Sequence, residues 1–383
     1  MIPYGMQEIS DEDISAVVAV LKSPFLTQGP VVPLFEASLA AYSGAKFGVA
    51  VNSATSALHI ACLALGLKAG DVLWTSPITF VASANCALYC GAGIDFVDID
   101  PLTFNISVEE LQFKLEQAKA QGTLPKVLVC VHLCGQSCDM RAIHQLSLTY
   151  GFKIIEDASH AVGAQYLNQP VGNCRFSDIT VFSFHPVKII TSAEGGMAIT
   201  NDPQLARSME LLRSHGITRD PEAMTHETDG PWYYQQVELG FNYRMTELQA
   251  ALGLSQMNRL DTYVAKRHAL VKRYDENLSS LALSTPWQHP DGYSSFHLYV
   301  VRVADGSRRR QVFEALRARD IGVNVHYIPV HTQPYYQAMG FAAGDFPQAE
   351  RYYAEAISLP LYPGLSEADQ DHVISSLREA LQP

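Results

Sequence analysis

The chain has 383 residues, a net charge of −12, 48% hydrophobic residues and 17% charged residues. This composition supports a large buried core, excludes disorder and exceeds one ordinary domain. No lysine/arginine cluster recurs on a helical face, and the densest run is Arg308-Arg309-Arg310; nucleic acid and anionic membrane are therefore not expected as partners, while local cations still allow an anionic small substrate.

Residues 1–8 show neither a basic n-region nor an apolar h-region, so no signal peptide is expected. No apolar run approaches the ~18 residues that cross a bilayer, and a cytoplasmic location follows as the expectation. The seven cysteines form no C-x-x-C pair, and Cys134-x-x-x-Cys138 is not read as part of a zinc site. Reduced thiols and no metal are expected.

In chain order, Ser10-Asp11-Glu12-Asp13 resembles a capping box, and Ile14, Val17, Val18 and Leu21 follow at helical spacing. This predicts an amphipathic opening helix that stops before Pro24. Phe25 to Pro30 reads as a loop, and a second helix is expected from about Pro33 to Tyr42. A short apolar strand from Phe47 then turns through Asn52-Ser53-Ala54-Thr55-Ser56 into a helix. The same order recurs. Strands are expected at Val72–Ser76, Asp95–Ile99, Lys126–Leu133, Lys153–Glu156, Asp178–Phe184 and Met197–Thr200. Helices are expected at Thr79–Tyr89, from Ser107, and at Met140–Tyr150. Alternation at this spacing implies an α/β fold with a mostly parallel central sheet flanked by helices.

After about Asn201 helical patterns dominate: 203–214, then one long run from about Met245 to Ser280. Residues 216–240 read as a long irregular loop, a class that is usually functional. Beyond lie a strand (Leu298–Val303), a helix (Arg308–Arg319), a strand (Val323–Tyr327) and two helices (about 347–356 and 366–381). This is a smaller α+β unit. The expected domains are 1–255 and 256–383.

Four stretches carry chemistry. Asn52 to Ser56 sits between a strand and a helix N-terminus, where free N–H groups and the helix dipole favour an anion such as phosphate; an ordinary Ser/Thr N-cap explains the same residues. Ile155-Glu156-Asp157-Ala158-Ser159-His160 places acids at a strand's C-terminal end, where ligands bind in open α/β sheets. Asp157 alone also reads as a helix cap. Val181 to Lys188 is an apolar strand that ends on a lysine, 31 residues after Asp157. Lys188 is either a side chain surfacing into water or a reactive amine that condenses with an aldehyde. Finally, Gly240 to Met245 puts Asn242 and Arg244 just before a helix. One chemistry uses all four: an aldehyde cofactor on a lysine, an Asp against a ring nitrogen, and a phosphate at a helix N-terminus. The chain has no G-x-G-x-x-G, G-K-[ST] or H-E-x-x-H motif.

These stretches resemble the sugar-nucleotide aminotransferases among the fold-type I pyridoxal-phosphate enzymes. The likeness runs from Leu26-Thr27-Gln28-Gly29 to Ile357-Ser358-Leu359-Pro360. It includes Ser183 to Lys188, Ala193-Glu194-Gly195-Gly196, Arg213 to Gly216, Gly240 to Arg244 and Val325 to Pro329. Within the family it is nearest to the pseudaminic acid enzymes, which aminate C4 of a UDP-linked 4-keto-6-deoxy N-acetyl-amino sugar.

The resemblance implies a large domain that binds pyridoxal 5′-phosphate and a smaller C-terminal one. It implies Lys188 as the Schiff-base and proton-transferring lysine. Asp157 would face the pyridinium nitrogen and His160 the phenolic oxygen. Ala54, Thr55, Ser56 and Ser183 would hold the phosphate, and Phe80 would stack on the ring. Asn242 would reach the phosphate from the neighbouring subunit of a homodimer with shared active sites. Tyr4, the Pro24-Phe25-Leu26-Thr27 loop and Val325-His326-Tyr327 would line the sugar-nucleotide site, and Arg244 would meet the diphosphate or the donor's carboxylate. The amino donor would be L-glutamate.

Two departures stand out. Ala158 and Ser159 reorder the usual acidic signature around Asp157. Related dehydratases carry His where this chain has Lys188, which favours amino transfer. Two other readings stay open: a different nucleotide-linked keto sugar (dTDP or GDP, C3 or C4), and a cofactor-binding regulatory protein without turnover. His185 and Glu194 flank Lys188 with no assigned role.

Overall fold

A computed structural model describes residues 1–382. Seven strands form the central sheet: β1 (Phe47–Val51), β2 (Val72–Thr75), β3 (Gly93–Phe96), β4 (Val127–Val131), β5 (Lys153–Asp157), β6 (Ile179–Ser183) and β7 (Gly196–Thr200). Their spatial order is β1-β7-β6-β5-β4-β2-β3. Strands β2 to β6 pair in parallel, and β7 runs antiparallel to both β6 and β1. Every residue of β4, β6 and β7 is buried, the signature of a sheet covered on both faces.

Helices supply the cover: α1 (Asp11–Leu21), α2 (Val31–Ser43), α3 (Ala54–Ala64), α4 (Ala82–Tyr89), α5 (Val108–Gln121), α6 (Met140–Tyr150), α7 (Pro203–Arg213) and α8 (Glu247–Met257). The predicted run from Met245 to Ser280 is two helices. Asn258 caps α8, and α9 (Leu260–Leu278) follows.

The smaller unit is a three-stranded antiparallel sheet of β8 (Leu283–Ser284), β9 (Tyr299–Val303) and β10 (Ala356–Leu359). Helices α10 (Arg309–Arg317), α11 (Pro347–Glu355) and α12 (Glu367–Ala380) accompany it. Residue 255 falls inside α8, and α9 serves both cores. Leu260, Tyr263 and Val264 pack with the large sheet, while Val271, Tyr274 and Leu278 pack with the small one. The chain's start also joins the small unit, where Ile2 bonds to Asp320 and Gly322.

One further expectation gives way. Val323–Tyr327 is not a strand: a single bridge joins Asn324 to Ser358. Beyond it side chains replace the ladder. Asn324 accepts from the Val325 N–H at 2.8 Å, His326 bonds Ser358 Oγ at 2.7 Å, and Pro329 supplies no N–H for pairing. The 216–240 loop holds a two-residue ribbon, Ile217–Thr218 against Gln235–Gln236.

Helix α1 turns its apolar stripe outward. Ile14, Val18 and Leu21 are exposed, and the inward positions are Asp13 and Val20. Asp13 is fully buried because polar partners meet it: the Ser10 N–H at 3.0 Å, Gln256 at 2.7 Å, and the Arg259 guanidinium.

Candidate active site

One edge of the sheet collects the chemistry. The C-terminal ends of β1, β4, β5 and β6 and the start of β7 lie there, with Val51 opposite Gly196, Gly196 opposite Ser183, and Val131 opposite Asp157. A cavity of about 880 Å³ opens at this edge.

The turn into α3 forms its first wall. Ser53 caps the helix by accepting from the Ser56 N–H at 3.1 Å, and Ser56 donates to Asn52 at 2.7 Å. The Asn52 N–H is held by Tyr243. No hydrogen bond engages the Ala54 and Thr55 N–H groups among the described residues, so they remain available to an anion. Gly196 makes the close approach possible: a Cβ there would collide with Ser53 and Ala54.

Asp157 is buried at the end of β5. It accepts from Ser83 Oγ at 2.6 Å and the Ser159 N–H at 3.1 Å. Its neighbour Glu156 faces away, as strand alternation requires. Glu156 is satisfied by His132 at 2.7 Å, Ser177 at 2.5 Å and Thr180 at 3.0 Å. Lys188 follows the end of β6 and lines the same cavity as Asp157. Burial pushes its ammonium down to about 8, against the opposing pull of Asp157. A depressed lysine can act as nucleophile and base near neutral pH.

Three buried histidines shape the far side. His160 Nδ1 accepts from the Cys134 N–H at 3.2 Å, and its Nε2 meets the Tyr327 hydroxyl at 3.0 Å. His326 bonds Ser358 and, at 3.4 Å, the Asn324 amide. His297 packs against His160 with ring centroids 4.4 Å apart and the planes tilted by 47°. Burial holds all three below the usual imidazole value, reinforced by the Lys188 charge. The backbone behind His297 is fixed by Arg267, buried with no acidic partner among the described residues, which donates to the carbonyls of Phe296, His297 and Leu361 at 3.1, 3.2 and 2.9 Å. Burial lowers its guanidinium to about 9.

The cavity thus gathers Tyr4, Ala54, Thr55, Ser56, Phe80, Asp157, His160, Ser183, Lys188, Val325, His326 and Tyr327. It does not include Asn242, Arg244 or Pro24 to Thr27 of the same protomer. Asn242 is exposed and bridges Ser214, while Arg244 bridges Val51. Leu26 and Thr27 run beside Thr246 and Glu247. Pro24 and Phe25 line a separate apolar groove of about 670 Å³ between α1 and α8. Phe80 and Tyr327 approach with ring centroids 6.2 Å apart. His185 and Glu194 face each other at 4.0 Å on the cavity rim.

Residues that pattern reading missed include Thr79, Ser83, His297 and Asn324. Ser83 and Thr79 read as ordinary helix-start residues. His297 precedes a strand in a run of small polar residues, and only the fold brings it to His160.

The model of the DegT/DnrJ/EryC1/StrS aminotransferase family matches residues 7–378. The chain belongs to this family. A curated relative, the spore coat polysaccharide biosynthesis protein SpsC of Bacillus subtilis, is 41% identical over 100% of this chain and 97% of its own length. UDP-4-amino-4,6-dideoxy-N-acetyl-beta-L-altrosamine transaminase of Campylobacter jejuni is 35% identical over 100% and 98%. GDP-perosamine synthase of Caulobacter vibrioides is 38% identical over 92% and 91%. Among solved structures, Helicobacter pylori PseC, an aminotransferase of pseudaminic acid biosynthesis, superposes with TM-score 0.91 at 32% identity, covering 99% of each chain. The Streptococcus pneumoniae sugar aminotransferase Spr1654, in a PMP form, gives 0.90 at 29% identity, again covering 99% of each chain.

DegT/DnrJ/EryC1/StrS enzymes are pyridoxal-phosphate-dependent sugar aminotransferases, and this chain is one that acts on nucleotide sugars. The cavity fits the cofactor: a paired set of free N–H groups, a buried carboxylate and a lysine amine share one enclosure. Among the described residues no helix is long and apolar enough to cross a membrane.

Proposed function

We propose that the chain moves an amino group from L-glutamate to C4 of a UDP-linked 4-keto-6-deoxy N-acetyl-amino sugar, as a homodimer with shared active sites. The observation that carries this reading is the meeting of Lys188 and Asp157 in one cavity with Ser183 and the α3 turn. The substrate choice leans on the Campylobacter transaminase and on PseC.

When bound, pyridoxal phosphate supplies an electron sink that eases proton loss at the amino-bearing carbon. The Ala54 and Thr55 N–H groups and the Ser183 hydroxyl would hold its phosphate, joined by Ser56 once its hydroxyl turns from Asn52. Asp157, oriented by Ser83, would keep the ring nitrogen protonated. Phe80 would stack on the ring. Lys188 would carry the cofactor and, once free, move a proton on and off the reacting carbon, a task its lowered pKa suits. Asn242 lies outside its own cavity and would complete the phosphate site of the neighbouring subunit. Phe25, Leu26 and Leu34 are exposed apolar side chains that such a partner would cover. The Pro24–Thr27 loop and Arg244 would then join the neighbour's sugar site, and the domains would divide near residue 255.

A second reading keeps the reaction and changes the sugar, since GDP-perosamine synthase is as similar as the UDP enzyme. The test is a panel of UDP-, dTDP- and GDP-linked 4-keto-6-deoxy sugars with glutamate, with the aminated product identified by NMR. A preference for a GDP or dTDP sugar overturns the UDP assignment. Multiple turnovers by Lys188→Ala would overturn the catalytic one.

A further inference from the structure

We propose that the Tyr327 hydroxyl donates the hydrogen bond that polarises the sugar's carbonyl, and that His160 aims it. This rests on the amino-transfer reading above, gives the His160 Nε2 proton to Tyr327 in place of the expected contact with the cofactor's phenolic oxygen, and assigns one side chain to the acceptor's reacting oxygen.

The bonding around His160 fixes where protons sit. The Cys134 N–H points at Nδ1 at 3.2 Å, so Nδ1 must be an acceptor and carries no proton. A neutral ring then holds its single proton on Nε2, which faces the Tyr327 oxygen at 3.0 Å. Burial and the Lys188 charge keep the ring neutral. The Tyr327 oxygen is therefore the acceptor in that bond. Its own proton has no acceptor among the described residues, while the side chain is partly exposed and lines the cavity. Burial raises the Tyr327 hydroxyl above its ordinary value, so it stays protonated.

His326 does not offer the same service. His326 is closed on both nitrogens. The Val325 N–H binds the Asn324 carbonyl oxygen, which turns the Asn324 amide N–H₂ toward His326 Nε2. The remaining His326 proton then goes to Ser358. Tyr327 sits beside Phe80, the ring-stacking candidate, and within electrostatic reach of Asp157. It thus borders the same space as Lys188. A ketone oxygen gains negative charge as nitrogen adds to its carbon. A neutral donor fixed in advance stabilises that charge without rearranging. The contribution is a hydrogen bond only, and Tyr327 forms no covalent bond. His160 is a positioning residue: it makes the phenol an acceptor on one side and a donor on the other.

Three measurements test this. First, the two half-reactions are followed separately by cofactor absorbance in single turnover. Tyr327→Phe is expected to slow the keto-sugar half about 10²-fold, at least tenfold more than it slows the glutamate half. His160→Phe is expected to show the same bias, and His160→Gln, which keeps an N–H donor, to recover part of it. Equal slowing of both halves places the hydroxyl on the cofactor or the donor and overturns the proposal, as does slowing of neither. Second, cofactor-stripped protein is titrated calorimetrically with UDP and with UDP-N-acetylglucosamine, which bears oxygen at C4. Tyr327→Phe is expected to weaken only the sugar nucleotide, and equal weakening of UDP overturns the assignment. Third, ¹⁵N NMR of His160 in the holoenzyme is expected to show protonated Nε2 and bare Nδ1, and the reverse tautomer overturns the aiming role. If the wild type aminates no nucleotide keto sugar, the amino-transfer reading fails, while the tautomer result reads out independently.

Discussion

Ser83 Oγ donates a 2.6 Å hydrogen bond to Asp157, and Thr79 Oγ1 lies 2.7 Å behind it. Because the Ser83 proton is committed to the carboxylate, Thr79 must donate to Ser83. The two hydroxyls form a directed chain from the start of α4 to the end of β5. Ser83→Ala is expected to cost about 2 kcal/mol of stability in urea unfolding. It is also expected to lower kcat about tenfold, because Asp157 loses one of its two fixed partners and turns more freely. An unchanged kcat would show that the strand end alone orients the carboxylate.

The lowered Lys188 value sets a pH profile. Its amine must be neutral to take up cofactor, and its folded value is about 8. Loading of stripped protein, followed by absorbance, is expected to quicken up to about pH 8 and then level off. A solvated lysine would keep accelerating to about 10.4. The sign also reaches stability. Between those two values the unfolded chain binds the proton that the folded one has lost, so stripped wild type gains stability relative to Lys188→Met as pH rises through that window. Below it both states are protonated and the difference is constant.

Gly196→Ala tests the sheet's approach to the phosphate turn. The added methyl meets Ser53 and Ala54 backbone, which cannot swing aside as a flexible side chain would. A stability loss of about 1–3 kcal/mol is expected. Weaker retention of cofactor on dialysis is expected alongside it, because the turn that presents the free N–H groups must shift.

The shared-site reading makes a mixing prediction. Lys188→Ala and Asn242→Ala each disable a homodimer. In a mixed dimer one site receives both defects and the other receives neither. Co-refolding the two inactive variants is therefore expected to restore up to a quarter of wild-type activity, and no recovery would show that sites are not shared. Separately, Leu26→Glu places a charge among exposed apolar side chains and is expected to shift the protein toward monomer in sedimentation.

Asp157 was readable because a buried parallel strand is a continuous apolar run and the acid closes it, whereas Lys188 lies five residues beyond the end of β6, past Pro186, and not at the strand end expected. Strand β7, expected over Met197–Thr200, begins one residue earlier at Gly196 and runs antiparallel to both neighbours. Other features depended on distance in the chain. His297 meets His160 across 137 residues, and nothing local marks it. Val323–Tyr327 looks like a strand by composition, yet Asn324 and His326 use their side chains where ladder bonds would be. The α1 stripe obeys helical period but faces away from its own core, since periodicity reports a face without naming what covers it. The break at Asn258 was invisible because residues on both sides favour helix.

Helix α9 gives its first turns to one core and its later turns to the other, with Arg267 stitched between to Phe296, His297 and Leu361. The two units are consequently poor candidates for dissection. A fragment beginning at residue 256 would carry Leu260, Tyr263 and Val264 bare into water, and its complement would lack the helix that seals the large sheet. The intact chain is expected to melt in one cooperative transition, so a lesion in either unit registers as a fall in the melting temperature of the whole.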